Sequence, residues 1–257
     1  MEPLKVSTRD GINLYVESMT VEHPIGMVCI IHGFGEHIGR YRHMMQSLND
    51  SKFNVYGVDL RGHGKSGGLK GHAPDLMSLI NDIEEFLKIV RAEHLYLPLF
   101  LFGHSMGGNL VLNYVIRDKS KELSGFIVSA PWIKLAFTPP RWKEQLGKLM
   151  ARIGPKIRQS NGLNSLHLSK DPKVSRLYDN DPLVNFKISA GLFSAINFGA
   201  SYLMEHQSEI KLSGFVFHGQ SDAIIDYKAT MKLALDNPDY IKWKLWEGVF
   251  HEAHNDL

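Results

Sequence analysis

A serine in the middle of the chain has the neighbours that a catalytic nucleophile needs. Ser105 lies in the G-x-S-x-G run Gly103-His104-Ser105-Met106-Gly107. Residues 97–102 are apolar apart from Pro98, and residues 108–116 have the composition of a helix. Strand, tight turn and helix in this order form a nucleophile elbow, whose flanking residues must be small because strand and helix pass closely. The run therefore predicts a strained serine at a strand end; the alternative is a glycine-rich turn without chemistry.

A serine hydroxyl attacks an ester efficiently only when a base takes its proton and a carboxylate orients that base. Chains with a nucleophile elbow supply these groups in the order serine, aspartate or glutamate, histidine. Asp222 comes four residues after the apolar run 214–218, and His251 follows the last predicted strand, 241–246. The predicted catalytic triad is therefore Ser105, Asp222 and His251.

Neighbouring residues compete for two of these roles. Asp226 is close to Asp222, but it is better placed to cap a helix that begins near Lys228. His254 lies one helical turn beyond His251, so both rings could line the site, although His251 directly follows the strand and its loop. Other histidines at strand ends are interpreted as hydrogen-bonded packing residues: His32, His104 and His218.

Negative charge develops on the carbonyl oxygen in the transition state of ester hydrolysis, and two backbone N–H groups aimed at that oxygen would stabilise it. The residue after the nucleophile supplies one of them, here Met106. The loop after an early strand supplies the other, and Phe34 in His32-Gly33-Phe34-Gly35 is the candidate. By itself, this His-Gly-x-Gly run is also compatible with a flexible turn.

Two segments resemble a metal-binding motif and a phosphate-binding loop, but the spacing of their residues does not match either motif. His251-Glu252-Ala253-His254 is one residue short of H-E-x-x-H, so it does not set two histidines four apart on a helix. Gly62-His63-Gly64-Lys65-Ser66-Gly67 lacks the Walker spacing of a phosphate loop. We therefore expect no metal and no cofactor, and we interpret the glycine-dense loop 59–67 as part of the wall of the site.

Composition limits the class of protein. The chain has 257 residues, 44% of them hydrophobic and 22% charged, which is ordinary for a globular protein that buries a sizeable core. A net charge of +2 is too small to indicate a nucleic-acid partner. Cys29 is the only cysteine and lies in an apolar run, so we expect a buried thiol and no internal disulfide. No apolar run has the length of a membrane span, and we expect a cytoplasmic protein. The sequence predicts no oligomeric state.

The predicted elements place the candidate residues at one edge of a sheet. Alternating residues at 4–8 and 12–18 indicate an antiparallel hairpin. Six further strands are predicted at residues 26–31, 53–59, 97–102, 125–129, 214–218 and 241–246. Helices are predicted between them at residues 41–48, 76–90 with Asp75 as cap, and 108–116. Strands that alternate with helices predict an α/β fold with a mainly parallel central sheet and helices on both faces, and with its site beyond the carboxyl ends of the strands.

The alternation of strands and helices breaks between residues 132 and 210. We interpret residues 132–210 as an inserted helical cap, and residues 1–131 and 211–257 as the core. A helix predicted near 141–158 has an apolar face of Trp142, Leu146, Leu149, Met150, Ile153 and Ile157. Its other faces carry Arg141, Lys143, Lys148, Arg152, Lys156 and Arg158 against one acid, Glu144. Either the apolar face enters a lipid interface, with the cations near anionic headgroups, or it packs on the protein beneath a solvated basic face.

Five motifs, in order, resemble those of the monoacylglycerol lipases and their lysophospholipase-like relatives. They are His32-Gly33-Phe34-Gly35-Glu36-His37-Ile38-Gly39-Arg40-Tyr41, Asp59-Leu60-Arg61-Gly62-His63-Gly64-Lys65-Ser66, Gly103-His104-Ser105-Met106-Gly107-Gly108, Asn180-Asp181-Pro182-Leu183-Val184 and Glu247-Gly248-Val249-Phe250-His251. The resemblance covers nearly the whole chain. It implies an α/β-hydrolase fold with a cap over a channel for one acyl chain.

The resemblance also implies an activity and further site residues. The implied enzyme is a serine carboxylester hydrolase that cleaves monoacylglycerols, or similar single-chain lipid esters, to a fatty acid and glycerol through an acyl-enzyme. Ser105, Asp222 and His251 match the family's triad, and Phe34 and Met106 match its oxyanion donors. The positions that hold the glycerol end in that family match Glu36, Arg40 and His254.

Other functions of the same fold stay open at this point. They are lysophospholipase, short-chain esterase and thioesterase activity, and a non-catalytic relative would bind a lipid or a partner instead. The inserted segment resembles the family only weakly, so the acyl-chain preference is not predicted. The family's chains continue beyond the position of Leu257 into a closing helix, and we therefore expect that a tail is missing here.

Overall fold

An eight-stranded sheet forms the centre of the computed structural model, which describes residues 5–117, 121–137, 147 and 149–256. The strands of these residues are β1 (Lys5–Ser7), β2 (Asn13–Met19), β3 (Gly26–Ile31), β4 (Phe53–Val58), β5 (Leu99–His104), β6 (Gly125–Ser129), β7 (Arg158–Ser160), β8 (Lys187–Ser189), β9 (Gly214–Gly219) and β10 (Ile241–Trp246). The order in the sheet is β1-β2-β4-β3-β5-β6-β9-β10, and β7 pairs with β8 in a separate two-stranded sheet.

Most strand pairs of the large sheet are parallel. The β1–β2 and β2–β4 pairs are antiparallel, and the pairs from β4 through β3, β5, β6 and β9 to β10 are all parallel. The carboxyl ends of the parallel strands therefore lie at one edge, as predicted. The loops that follow β3, β5, β9 and β10 carry the predicted site residues at that edge.

Six α-helices lie entirely within the described residues. They are α1 (Arg42–Asp50), α2 (Leu76–Glu93), α3 (Met106–Ile116), α4 (Pro172–Asn180), α5 (Ala190–His206) and α6 (Tyr227–Asp236), with short 3-10 turns at Ile38–Tyr41, Ser165–His167 and Gln207–Glu209. Asp75 accepts a hydrogen bond from Ser78 N–H and caps α2, and Asp226 accepts one from Lys228 N–H and caps α6, both as predicted. None of the helices in the described ranges is both long and apolar enough to cross a membrane.

Helices cover both faces of the sheet. On one face, Met45 of α1 packs in a cluster with Val28, Ile30, Val55 and Phe102. On the other face, buried side chains of α2, α3 and α6 pack against Met27, Cys29 and Ile31 of β3 and their neighbours. The continuous apolar runs of the inner strands follow from this arrangement, because a strand covered on both faces has no solvent side.

The segment between β6 and β9 contains β7, β8, α4 and α5. Residues 149–153 are helical, but the helix predicted to residue 158 ends before Gly154-Pro155, and the chain turns there and enters β7. The residue before a proline is disfavoured in helical conformation, which explains the early end. Other members of that predicted helix lie outside the described residues: Arg141, Trp142, Lys143, Glu144, Leu146 and Lys148.

Buried asparagines bind α5 to α3. Asn109 Nδ2 donates to the carbonyl oxygens of Trp132, at 2.8 Å, and Ile196, at 3.3 Å. Asn113 Nδ2 donates to the carbonyl oxygen of Gly199 at 3.0 Å. These bonds tie the inserted segment to the helix that begins at the predicted nucleophile. The division into a core of residues 1–131 and 211–257 and a cap of residues 132–210 stays a prediction.

Candidate active site

Ser105 occupies the turn between β5 and α3 with a strained backbone. Its φ is 52° and its ψ is −114°, which a non-glycine residue rarely adopts and which costs about 1–3 kcal/mol. Ser105 N–H donates to Ser129 O at 2.9 Å, and Ser105 O accepts from Asn109 N–H at 3.0 Å. A Cβ on Gly107 would lie 2.2 Å from the carbonyl oxygen of Ile31. The turn therefore has the strained, closely packed geometry that the G-x-S-x-G run predicts.

Asp222 lies in the turn after β9, and four donors surround its carboxylate. Oδ1 accepts from the N–H groups of Ile224 and Ile225, at 2.8 and 3.0 Å. Oδ2 accepts from Nδ1 of His251 at 2.6 Å and from Nε2 of His218 at 2.8 Å. Burial alone would raise the pKa of Asp222, but the two histidines hold it well below its usual 3.8. Asp222 is therefore a fixed carboxylate near neutral pH.

His251 is buried and oriented by Asp222. Burial lowers the pKa of the imidazole, and the charge and hydrogen bond of Asp222 outweigh that effect, so the pKa lies above the usual 6.5. Because Nδ1 donates to the carboxylate, Nε2 is the nitrogen that can accept a proton from a nucleophile. The ring centroid lies 4.7 Å from that of His104, the residue before Ser105.

Among the described residues, His251 bonds Asp222 through Nδ1, and no hydrogen bond joins its Nε2 to Oγ of Ser105. In ligand-free enzymes the contact between nucleophile and base is often longer than a hydrogen bond and shortens only when substrate is bound. The structure thus brings Asp222 and His251 into direct contact, whereas the contact from His251 to Ser105 is part of the proposal below.

The loop after β3 lies against Ser105. A Cβ on Gly33 would be 3.2 Å from Cβ of Ser105, so Phe34, the next residue, is close to the turn. The ring of Phe34 meets His63 edge to face, with centroids 5.5 Å apart. Met106 is the first residue of α3, where N–H groups have no acceptor inside the helix. The two predicted oxyanion donors therefore belong to segments that adjoin Ser105.

Glu36 and Arg40 belong to a buried ionic cluster. Oε1 of Glu36 accepts from Gly33 N–H and from the hydroxyl of Tyr41, both at 2.6 Å. Arg40 donates to Oε2 of Glu36 at 2.5 Å and forms a bidentate pair with Glu252 at 2.7 and 2.8 Å. Burial lowers the pKa of Arg40, but Glu252 and Glu36 outweigh this effect and raise it, so the guanidinium stays charged. The sequence analysis did not single out Glu252.

His254 lies in an aromatic cluster rather than one helical turn beyond His251, because residues 251–256 form turns. Its ring stacks on Tyr41, with centroids 5.0 Å apart, and meets His104 edge to face at 4.8 Å. Both ring nitrogens are buried and lack a hydrogen-bond partner among the described residues. Burial lowers the pKa of His254 to about 4, so the ring is neutral at pH 7.

Three other histidines at strand ends are hydrogen-bonded, as expected, but one of them bonds to the site. His32 contacts the carbonyl oxygen of Gly33 and accepts from Leu60 N–H. His104 lies 3.3 Å from the hydroxyl of Ser129. His218 contacts Asp222, and the signal that sequence reasoning missed is the spacing of four residues across a strand-end turn. No cluster of three or more His, Cys, Asp or Glu suited to a metal ion is found in the described ranges.

Comparison with known sequences gives a consistent set of relatives. The model of the family described as "serine aminopeptidase, S33" matches residues 22–257. A monoacylglycerol lipase of Mycolicibacterium smegmatis is 31% identical over 250 residues, which cover 96% of this chain and 88% of that protein. An uncharacterised abhydrolase domain-containing protein of Dictyostelium discoideum is 33% identical over 99% of this chain, which spans only 27% of that longer protein.

Two solved structures share the fold over almost the whole chain. A monoacylglycerol lipase of Paleococcus ferrophilus has a TM-score of 0.83 and 31% identity, covering 95% of this chain and 92% of that one. A soluble variant of monoglyceride lipase from Saccharomyces cerevisiae, in complex with a substrate analog, has a TM-score of 0.85 and 27% identity, covering 98% and 89%. These similarities confirm the predicted α/β-hydrolase fold and the resemblance seen in the five motifs.

Proposed function

Because this chain belongs to the serine aminopeptidase S33 family, whose α/β-hydrolase fold it has, we propose that it cleaves monoacylglycerols to a fatty acid and glycerol through an acyl-enzyme. The protein is a carboxylic ester hydrolase. The observation that best supports the proposed mechanism is the 2.6 Å hydrogen bond from His251 Nδ1 to Asp222, at the strand edge that also carries Ser105.

In the proposed reaction, Ser105 Oγ attacks the ester carbonyl while Nε2 of His251 takes its proton. The Asp222 carboxylate stabilises the resulting imidazolium. The N–H groups of Phe34 and Met106 donate to the oxyanion of the tetrahedral intermediate. The intermediate then expels the alcohol, which receives the proton from His251, and the acyl group stays on Ser105. Water, activated by the same imidazole, hydrolyses the acyl-enzyme and releases the fatty acid.

Glu36, Arg40 and His254 are proposed to hold the glycerol end of the substrate. Glu36 supports this role because it bonds Gly33, which adjoins Ser105. His254 supports it because its two ring nitrogens are buried without partners, so a hydroxyl group that reached them would gain hydrogen bonds. Arg40 bonds Glu36 and also Glu252, which lies two residues before His254.

The test compares a 2-monoacylglycerol with a lysophospholipid and a thioester of the same acyl-chain length, and with short-chain esters. We expect the highest kcat/KM for a 2-monoacylglycerol, a lower value for the matching lysophospholipid and thioester, and a lower value for short-chain esters. Ser105→Ala should lower turnover about a millionfold, because the nucleophile is lost. Ser47→Ala on the exposed side of α1 is the matched control and should leave turnover unchanged. A lysophospholipid or short-chain ester that outperformed the monoacylglycerol would contradict the proposed substrate, and full activity of Ser105→Ala would contradict the mechanism.

We also propose that the inserted segment contacts membranes peripherally. Leu149, Ile153 and Ile157 are 51%, 70% and 55% exposed, so half or more of each of these apolar residues faces solvent. Arg152 and Lys156, both exposed, lie among them. Apolar side chains beside cations favour an interface with anionic lipid.

Co-sedimentation with vesicles tests this contact. We expect binding to vesicles that contain anionic lipid, and weaker binding of the double variant Ile153→Ser/Ile157→Ser. Leu95→Ser, which changes a 64% exposed leucine before β5, is the control and should bind like the unmodified protein. Equal binding of all three proteins would contradict the proposal.

A cytoplasmic location is proposed as well. It is supported by the single cysteine, Cys29, whose buried thiol has a raised pKa and no cysteine partner in the chain. Cell fractionation should find the protein in the cytosol and also in the membrane fraction, from which salt should release it. Recovery from a secreted fraction would contradict it.

A further inference from the structure

Oδ2 of Asp222 is shared by two histidines. His251 Nδ1 lies 2.6 Å from it, and His218 Nε2 lies 2.8 Å from it. The second nitrogen of His218, Nδ1, is 2.9 Å from the hydroxyl of Thr230 in α6. All four side chains are buried. The chain of contacts therefore runs from α6 through β9 to the imidazole of the proposed base.

The direction of each hydrogen bond follows from the groups involved. The Asp222 carboxylate can only accept, so Nε2 of His218 must carry a proton. In the neutral ring Nδ1 then has a lone pair, and the Thr230 hydroxyl donates to it. Asp222 thus selects this tautomer of His218, and the Thr230 hydroxyl, which can donate or accept, is compatible with it. Nothing in the proposed reaction uses His218 for proton transfer.

We propose that His218 is a positioning residue for the base: it donates to the same carboxylate oxygen as His251, which fixes the plane of Asp222 and limits the negative charge that this oxygen presents to His251. The inference rests on the proposed function, because it assigns a role through the Asp222–His251 pair. It adds a fourth and a fifth side chain, His218 and Thr230, to the proposed triad.

A consequence for pH dependence follows. The groups that face His251 are Asp222 from the turn after β9, His104 from β5, the adjacent Glu252 and, further away, Glu36. His218 acts on His251 through Asp222, because both imidazoles bond Oδ2 of that carboxylate. Without the His218 donor, Oδ2 would interact more strongly with the imidazolium, and His251 would lose its proton only at higher pH. The acid limb of kcat/KM should then move to higher pH.

Two substitutions separate the hydrogen bond from the packing of the ring. His218→Gln places an amide Nε2–H where the imidazole has its own, whereas His218→Leu fills space without a donor. We expect His218→Leu to move the acid limb upward by about one pH unit and to lower kcat/KM at pH 6.5 about tenfold, as one hydrogen bond to a charged group would. His218→Gln should restore the limb to within a few tenths of a unit of the unmodified enzyme.

A matched control is available in another buried histidine. His72 bonds Ser189 Oγ at 2.8 Å, between the core and the inserted segment. His72→Leu should leave the acid limb where it is in the unmodified enzyme. An acid limb that His218→Leu does not move, or a loss of activity in His218→Leu that His218→Gln does not restore, would overturn the inference.

A measurement on the unmodified protein covers the case in which His218→Leu does not fold. NMR of protein labelled with ¹⁵N at its 13 histidines should show a proton on Nε2 of His218, whose signals are assigned by their loss in His218→Gln. A tautomer protonated at Nδ1 would overturn the inference. A different result would show that the proposed function itself is wrong: a fluorophosphonate would then fail to label Ser105 of the unmodified enzyme.

Discussion

Arg40 forms two parallel hydrogen bonds with Glu252, the residue directly after His251. The same guanidinium bonds Glu36, whose other oxygen holds the N–H of Gly33 beside Ser105. One cation therefore links the loop that carries Phe34 to the loop that carries the proposed base. Since the partners come from opposite ends of the chain, this link sets the distance between two parts of the site.

Loss of Arg40 should destabilise the protein strongly. Arg40→Met leaves the buried carboxylates of Glu36 and Glu252 unpaired, which we expect to lower the free energy of unfolding by about 3–5 kcal/mol. Urea denaturation measures this change. Lys232→Met is the control, because it removes an exposed pair with Asp236 and should not shift the midpoint measurably. Equal midpoints for the two variants would show that the buried cluster does not stabilise the fold.

Glu252 should make stability depend on pH in the acid range. Burial alone would raise its pKa, but Arg40 outweighs this effect and holds the pKa well below the usual 4.5. A carboxyl group with a lowered pKa favours folding above its unfolded value and loses that contribution as the pH falls through its folded value. Unfolding free energy should therefore decrease below pH 4.5, and this decrease should be smaller in Glu252→Gln. Identical slopes in both proteins would contradict the assigned ion pair.

The activity of the enzyme should depend on the ionisation of His251. Only the neutral imidazole can take the serine proton, and its pKa is raised above 6.5. The acid limb of kcat/KM should therefore have its midpoint above pH 6.5. Asp222→Asn removes the charge that raises this pKa and should lower kcat about ten-thousandfold through loss of the correct tautomer. A midpoint below pH 6 in the unmodified enzyme would contradict the assignment of His251 as the base.

The elbow should not tolerate a side chain at Gly107. A Cβ there would meet the backbone oxygens of Ile31 at 2.2 Å and His32 at 2.6 Å, and backbone cannot yield as a flexible side chain can. We expect Gly107→Ala to lose at least about 2 kcal/mol of stability and most of its activity. At Gly67 the nearest atoms would lie at 3.4 Å, so Gly67→Ala should change stability by less than about 0.5 kcal/mol. Similar thermal midpoints for both variants would contradict the close packing of strand and helix.

Sequence reasoning located the elements well where the local signal is strong. The runs at residues 26–31 and 125–129 match β3 and β6, because continuous apolar stretches are typical of strands covered on both faces. The run at residues 241–246, in which lysines interrupt the apolar residues, matches β10 at the edge of the sheet. The ends of one strand differ slightly from the prediction. The strand predicted at residues 97–102 is β5, which begins at Leu99 because Pro98 has no N–H to donate to a neighbouring strand.

Sequence reasoning also found Asp222 and His251 from their order and strand-end placement, and the structure places them in contact. It did not single out Glu252 or connect His218 with Asp222. Both interactions depend on contacts made by folding: Arg40 lies 212 positions before Glu252, and the turn after β9 brings Asp222 back towards His218. No spacing rule for catalytic motifs includes either pair.

Mapping the site of covalent modification tests the central claim most directly. The protein would be treated with a long-chain fluorophosphonate, digested and analysed by mass spectrometry, while monoacylglycerol hydrolysis is followed in parallel. We predict one phosphonyl group per chain, on the peptide that contains Ser105, with activity lost in proportion to labelling. Modification of a different residue, or continued hydrolysis by fully labelled protein, would contradict the claim that Ser105 is the nucleophile.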